Sequence, residues 1–191
     1  MAQPGELFVM VRVPDAVREA LLQVLAESGL DQALGRALYP PRNWHQSLSD
    51  LHPPEAREHL RLACSRLEAR AFCLQFDQLR SSGNTPGRIH WKFVPAGHKP
   101  LGIKLLMADV RSKLEDHGLP QAFGHRVHVT VSYLADRQLE PRAIAPVPWQ
   151  IDAVELVEVA GRGADYRYEV VDTFPLRPAA RPDPTQPSLL D

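Results

Sequence analysis

The chain has 191 residues, 44% of them hydrophobic and 24% charged, with a net charge of −1. These values fit a soluble globular protein with a real core, and they lack the basic excess that marks a general nucleic-acid binder. Any phosphate ligand must therefore be handled by local charge. The N-terminal Met-Ala-Gln-Pro-Gly-Glu has no basic segment followed by an apolar run, and no apolar stretch approaches the roughly 18 residues that span a bilayer. The expectation is a cytoplasmic protein without signal peptide or membrane segment. Cys64 and Cys73 build neither a disulfide framework nor a spaced metal motif, and both are read as buried thiols.

In chain order, Glu6 to Val13 reads as a buried strand. Pro14 and Asp15 open a helix to about Ser28, with Val17, Leu21, Leu22, Val24 and Leu25 forming its apolar stripe. Residues 29–43 are mixed, and Pro40-Pro41 imposes extended backbone. Trp44 to Ser49 predicts a short strand with His45, Ser47 and Ser49 on one face and Trp44 and Leu48 on the other. Pro53-Pro54 starts a helix to about Ala69, with Leu60, Leu62, Ala63 and Leu67 inward. Phe72 to Leu79 alternates as a strand, residues 81–87 form a loop, and Arg88 to Phe93 is a strand with Arg88, His90 and Lys92 on a basic face. Lys99 to about His117 is helical, capped by Gly118. The segment with Pro141, Pro146 and Pro148 reads as a connection. Strands at about 150–159 and 166–174 follow, joined by the glycine-bearing hairpin loop 161–165. Residues 177–191 are too proline-rich to pack and are expected to be a disordered tail.

The stretch from Arg126 to Tyr133 organises the whole. Val127, Val129 and Val131 alternate with His128, Thr130 and Ser132, so a strand here puts an apolar face against the core and an imidazole with two hydroxyls on the other. Eight histidines yield only about 0.3–0.4 accidental His-x-Ser/Thr-apolar matches, yet two occur, on predicted strands 83 residues apart. Alternation of strands and helices around the two motifs implies an α+β architecture of two similar lobes with a cleft between them. A histidine pair suits in-line displacement at phosphorus: a neutral imidazole takes a proton from the attacking water, and a protonated one gives a proton to the leaving oxygen. Ser47 and Thr130 are candidates to donate hydrogen bonds to the non-bridging oxygens. Such chemistry calls for no metal and no cofactor. Arg126 shares the His128 face and is a candidate phosphate ligand. Trp44, Trp91 and Trp149 are expected to anchor the core, and His52, His59, His98 and His117 to lie on the surface.

The motifs resemble those of the 2H phosphoesterase superfamily, and within it the bacterial RNA 2′,3′-cyclic phosphodiesterases, also called 2′-5′ RNA ligases. The resemblance rests on Asn43-Trp44-His45-Gln46-Ser47-Leu48 and His128-Val129-Thr130-Val131, with support from the first strand and turn, Trp149 and the closing hairpin through Leu176. It implies a single bilobal, pseudo-symmetric domain over residues 1–176, with the four motif residues facing a central groove. It also implies a monomeric enzyme that opens 2′,3′-cyclic phosphates at RNA ends to 2′-phosphates and joins or cleaves 2′-5′ linkages, with His128 as base and His45 as acid. The alternative is a nucleotide or RNA-end binding protein of the same fold with little or no turnover. Three positions depart from the family pattern. Ser47 stands for a threonine, Asp50 introduces an acid beside the first motif, and Tyr133 replaces an arginine at the end of the second, where it is a candidate substrate ligand.

Overall fold

The computed structural model describes residues 2–122 and 124–179. Among the described residues, eight strands form two four-stranded antiparallel sheets. The first sheet has the order β2-β1-β7-β8, built from β1 (Leu7–Arg12), β2 (His45–Ser47), β7 (Ala153–Ala160) and β8 (Arg167–Pro175). The second has the order β5-β4-β3-β6, from β3 (Phe72–Ser82), β4 (Ile89–Val94), β5 (Val129–Ala135) and β6 (Arg142–Ile151). Each motif segment therefore runs along one edge of its own sheet. Four α-helices accompany the sheets: α1 (Asp15–Glu27), α2 (Leu30–Leu34), α3 (Arg57–Cys64) and α4 (Leu101–Asp116). This is the α+β architecture that the motif spacing implies. None of the described helices is long and apolar enough to cross a membrane.

β1 is apolar on both faces because it is covered on both. Leu7, Val9 and Val11 enter the main core, which runs without a break through both sheets. Phe8 and Met10 point the other way and join Val157, Val159, Tyr166 and Tyr168 in a smaller cluster. The helical stripes supply the outer layer: Val17, Leu21 and Leu25 on α1, which packs on β6, and Ile103, Leu106, Val110 and Leu114 on α4, which packs on β3 and α3. Gly102 sits so close to Phe72 that an added Cβ would lie 2.4 Å from its ring. Trp44, Trp91 and Trp149 are all buried core anchors, as expected.

Several sequence expectations need correction. The proline-bearing segment after residue 141 is not a connection but most of β6. It lies at a sheet edge, pairing only with β3, so Pro146 and Pro148 withhold donors that an edge strand can spare. The second helix is shorter than 53–69: a 3-10 turn over Pro54–Ala56 leads into α3, and Leu62 projects into solvent while Leu60 and Ala63 are buried. Cys73 is exposed, since it alternates outward on β3, whereas Cys64 is buried and its thiol is pushed up to about 12 by desolvation. His52 is buried rather than on the surface. Its backbone pairs with Leu7, and its Nε2 lies 3.2 Å from the Gln121 amide. Most of the expected tail lies outside the described residues; Arg177 is tied to the Ala69 carbonyl and the Glu68 carboxylate.

Candidate active site

β2 is only three residues long, yet it is held firmly. Its partner β1 pairs Met10 with Ser47 and Arg12 with His45. The preceding 3-10 turn, Pro41–Asn43, delivers the Asn43 carbonyl beneath the His45 ring. His45 Nδ1–H donates to that carbonyl at 2.7 Å, which fixes the neutral tautomer with its lone pair on Nε2. Ser47 Oγ stands 3.1 Å from Nε2 and donates to it in that tautomer. Phe8 and Tyr168 press on the ring, with centroids at 5.3 Å and 4.9 Å. Burial among these groups lowers the pKa of His45 to about 4; the Asn43 carbonyl opposes the shift, and His128 and Arg12 add to it. The imidazole of His128 is thus within electrostatic reach of His45.

His128 sits one residue before β5 and repeats the arrangement. Its Nδ1–H donates to the carbonyl two residues back, that of Arg126, at 2.8 Å. His45 bonds the carbonyl of Asn43, also two residues back. Both rings therefore keep Nε2 as the atom free of the backbone. Burial lowers the pKa of His128 as well; the Arg126 carbonyl opposes the shift, and Lys92 and the protonated forms of His125 and His90 add to it. In the unliganded protein burial thus favours the neutral form of both imidazoles.

Gln46, fully buried between His45 and Ser47, joins the two sheets. Its Oε1 accepts the His128 N–H at 2.7 Å, and its Nε2 donates to the carbonyls of Ser47 and Arg126. Nothing in the sequence marks this residue, because a glutamine in the inward position of a strand carries no signature until its cross-lobe partner is known.

β5 departs from the regular alternation read in the sequence. Its register against β4 slips between Trp91 and Lys92, which pair with Ser132 and Thr130. The bulge turns Ser132 fully inward, where its Oγ accepts the Leu134 N–H. It also swings Tyr133 to the side of Thr130, whose hydroxyl bonds the Tyr133 hydroxyl. Ser49 leaves the His45 face for a related reason: the strand ends at Ser47, and Ser49 Oγ turns to accept the Val9 N–H.

Two depressions meet at the motif strands. The first, about 780 Å³, is walled by His45, Ser47, Tyr39, Tyr133, Tyr168 and Phe8. Its tyrosines are linked, with Tyr39 and Tyr168 hydroxyls 3.0 Å apart and Tyr166 donating to Tyr168. The second, about 800 Å³, is lined by His128, Arg126, Lys92, Arg80 and Lys99. His125 borders both. The two motif histidines thus stand in adjoining depressions, one aromatic and one basic, rather than in a single uniform groove. Asp50 lines the same depression as His45 and Ser47. It lies 3.4 Å from His125 Nε2 and accepts the Ala122 N–H.

This architecture matches known structures. E. coli LigT in its apo form superposes with a TM-score of 0.71 at 20% identity, covering 92% of this chain and 99% of LigT. The chain has the LigT fold. A phosphoesterase structure matches at a TM-score of 0.65 with 19% identity, over 92% of this chain and 99% of that one. The protein TT0787 of Thermus thermophilus matches at 0.69 with 21% identity, over 92% of this chain and all of that one. No protein-family model matches the sequence, and no curated protein matches it. The LigT-like α+β fold is the fold that the paired motifs imply.

Proposed function

We propose that the protein is a phosphodiesterase that hydrolyses the 2′,3′-cyclic phosphate at RNA ends to a 2′-phosphate. The reading rests chiefly on one observation: His45 and His128, on the edges of two different sheets, each tie Nδ1 to the carbonyl two residues back and keep Nε2 for a substrate. It is supported by the LigT fold, since LigT structures include complexes with 3′-AMP and with phosphate. In the reaction, water attacks phosphorus and the P–O3′ bond breaks. One Nε2 takes the proton of the water, and the other delivers a proton to O3′, leaving a 3′-hydroxyl and a 2′-phosphate. Ser47 and Thr130 donate to the non-bridging oxygens as charge builds. Tyr133 takes part of the nucleoside, and Arg126 supplies positive charge beside His128. We assign His128 as the base and His45 as the acid; the bound phosphate's negative charge raises the depressed pKa of His45 and so loads it with the proton. With the 5′-hydroxyl of a second RNA in place of water, the same displacement breaks the P–O3′ bond and forms a 2′-5′ linkage, which requires no additional residue.

The test is hydrolysis of a 2′,3′-cyclic nucleotide in EDTA by the wild type, His45→Ala and His128→Ala. Loss of at least about a hundredfold in each variant is expected. Equal rates in all three would dismiss the reading.

A second reading, an RNA-end binding protein with little turnover, draws on the burial that favours neutral imidazoles in the free protein. Tight binding of a 2′-phosphate nucleotide with no turnover between pH 5 and 8 favours it. A bell-shaped rate profile that needs both histidines excludes it.

A further inference from the structure

The basic depression gathers positive charge beside His128. Net charge over the whole chain is −1, yet Arg80, Lys92, Lys99 and Arg126 converge here with Glu140 as the one carboxylate in the lining. Among the described residues, none of these four cations is in a salt bridge, although nine ion pairs lie elsewhere in the protein. Burial lowers the Lys92 pKa, and Arg126 is close enough to lower it further. Like charges left unpaired and adjacent raise the energy of the empty site, and an anion relieves it. His128 lines this depression and not the one walled by the tyrosines.

We infer that this depression is a second phosphate site, which holds the phosphodiester one nucleotide upstream of the cyclised end. The inference deepens the proposed reaction and rests on it for the position of the cyclic phosphate. With that phosphate at the two Nε2 atoms, the aromatic depression takes the terminal base by stacking, and the chain leaves through the basic depression. Lys92 and Arg126 contact the diester nearest His128; Arg80, on β3, and Lys99, just before α4, hold the strand beyond it. The substrate class is then an oligonucleotide end rather than a free cyclic mononucleotide.

The experiment compares a 2′,3′-cyclic mononucleotide with a dinucleotide and a trinucleotide ending in the same cyclic nucleotide, in wild type and in Arg80→Gln/Lys92→Gln. In the wild type kcat/KM rises roughly tenfold or more from the mononucleotide to the longer ends, and the ratio shrinks with added salt. In the double variant the ratio falls toward one. In parallel, calorimetry measures binding of a mononucleotide and a dinucleotide that both carry a 3′-phosphate, which needs no turnover. A salt-sensitive binding preference for the dinucleotide, lost in the double variant, supports the second site even if the cyclic phosphate is not hydrolysed. Equal affinity for the two, or a preference that the double variant keeps, overturns it.

Discussion

Gln46 and His128 are tied through a shared carbonyl: Gln46 Nε2 donates to the Arg126 oxygen at 3.1 Å, and the same oxygen accepts His128 Nδ1–H at 2.8 Å. Gln46 Oε1 also accepts the His128 N–H. The side chain between His45 and Ser47 thereby positions the histidine of the other sheet. Replacing Gln46 with methionine keeps the volume but leaves the His128 N–H and the Ser47 carbonyl without this partner and the Arg126 carbonyl with one donor fewer, at a cost of about 1–3 kcal/mol. Thermal denaturation should show that loss, and imidazole ¹⁵N shifts should show His128 passing from the Nδ1–H tautomer to a mixture. A variant with an unchanged His128 spectrum would remove Gln46 from any positioning role.

The acid and the base can be separated by the leaving group. A substrate whose 3′ bridging oxygen is replaced by sulfur departs without a proton. We expect His45→Ala to regain at least about tenfold of its lost rate on this substrate, with His128→Ala still impaired. Rescue of His128→Ala alone would exchange the two roles.

Acid should destabilise the protein through its histidines. The folded pKa of His45 is about 4, below the unfolded value of 6.5, so folding opposes its protonation. That contribution to stability is complete above about pH 6.5 and is lost as the pH falls toward 4, amounting to about 3 kcal/mol for His45 alone. His52, His90, His125 and His128 are shifted in the same direction and add to the slope. Calorimetric melting at pH 7.5, 6 and 5 should show Tm falling steadily, and His45→Asn should flatten the fall.

The wall around His45 sets its protonation. Tyr168→Ala removes the ring at 4.9 Å and admits water, so the His45 pKa should rise toward 6.5 in a proton NMR titration. An unchanged value would mean that Tyr168 does not desolvate the ring.

The outer layer offers a test unconnected with catalysis. Gly102→Ala drives a methyl into Phe72 at the α4–β3 contact, where either the ring or the helix must move. A loss of about 1–3 kcal/mol is expected in urea unfolding.

Local chemistry made much of this protein legible from residue order alone. The β-branched alternation around the two histidines, the apolar stripes of α1 and α4, and the recurrence of His-x-Ser/Thr after a helix mark the elements, the α+β class and the four motif residues. Those signals work because each depends on neighbours one to four residues away. Tertiary structure alone decided the rest. The Pro146 and Pro148 segment became a strand because it found a sheet edge that needs few donors. The bulge opposite Trp91 moved Tyr133 beside Thr130 and buried Ser132, since register depends on a partner strand about 40 residues away. Gln46 acquired its role only when the other lobe supplied a carbonyl and an N–H. The division into an aromatic and a basic depression likewise arises from side chains far apart in sequence, whose charges and rings act together only once folding has placed them side by side.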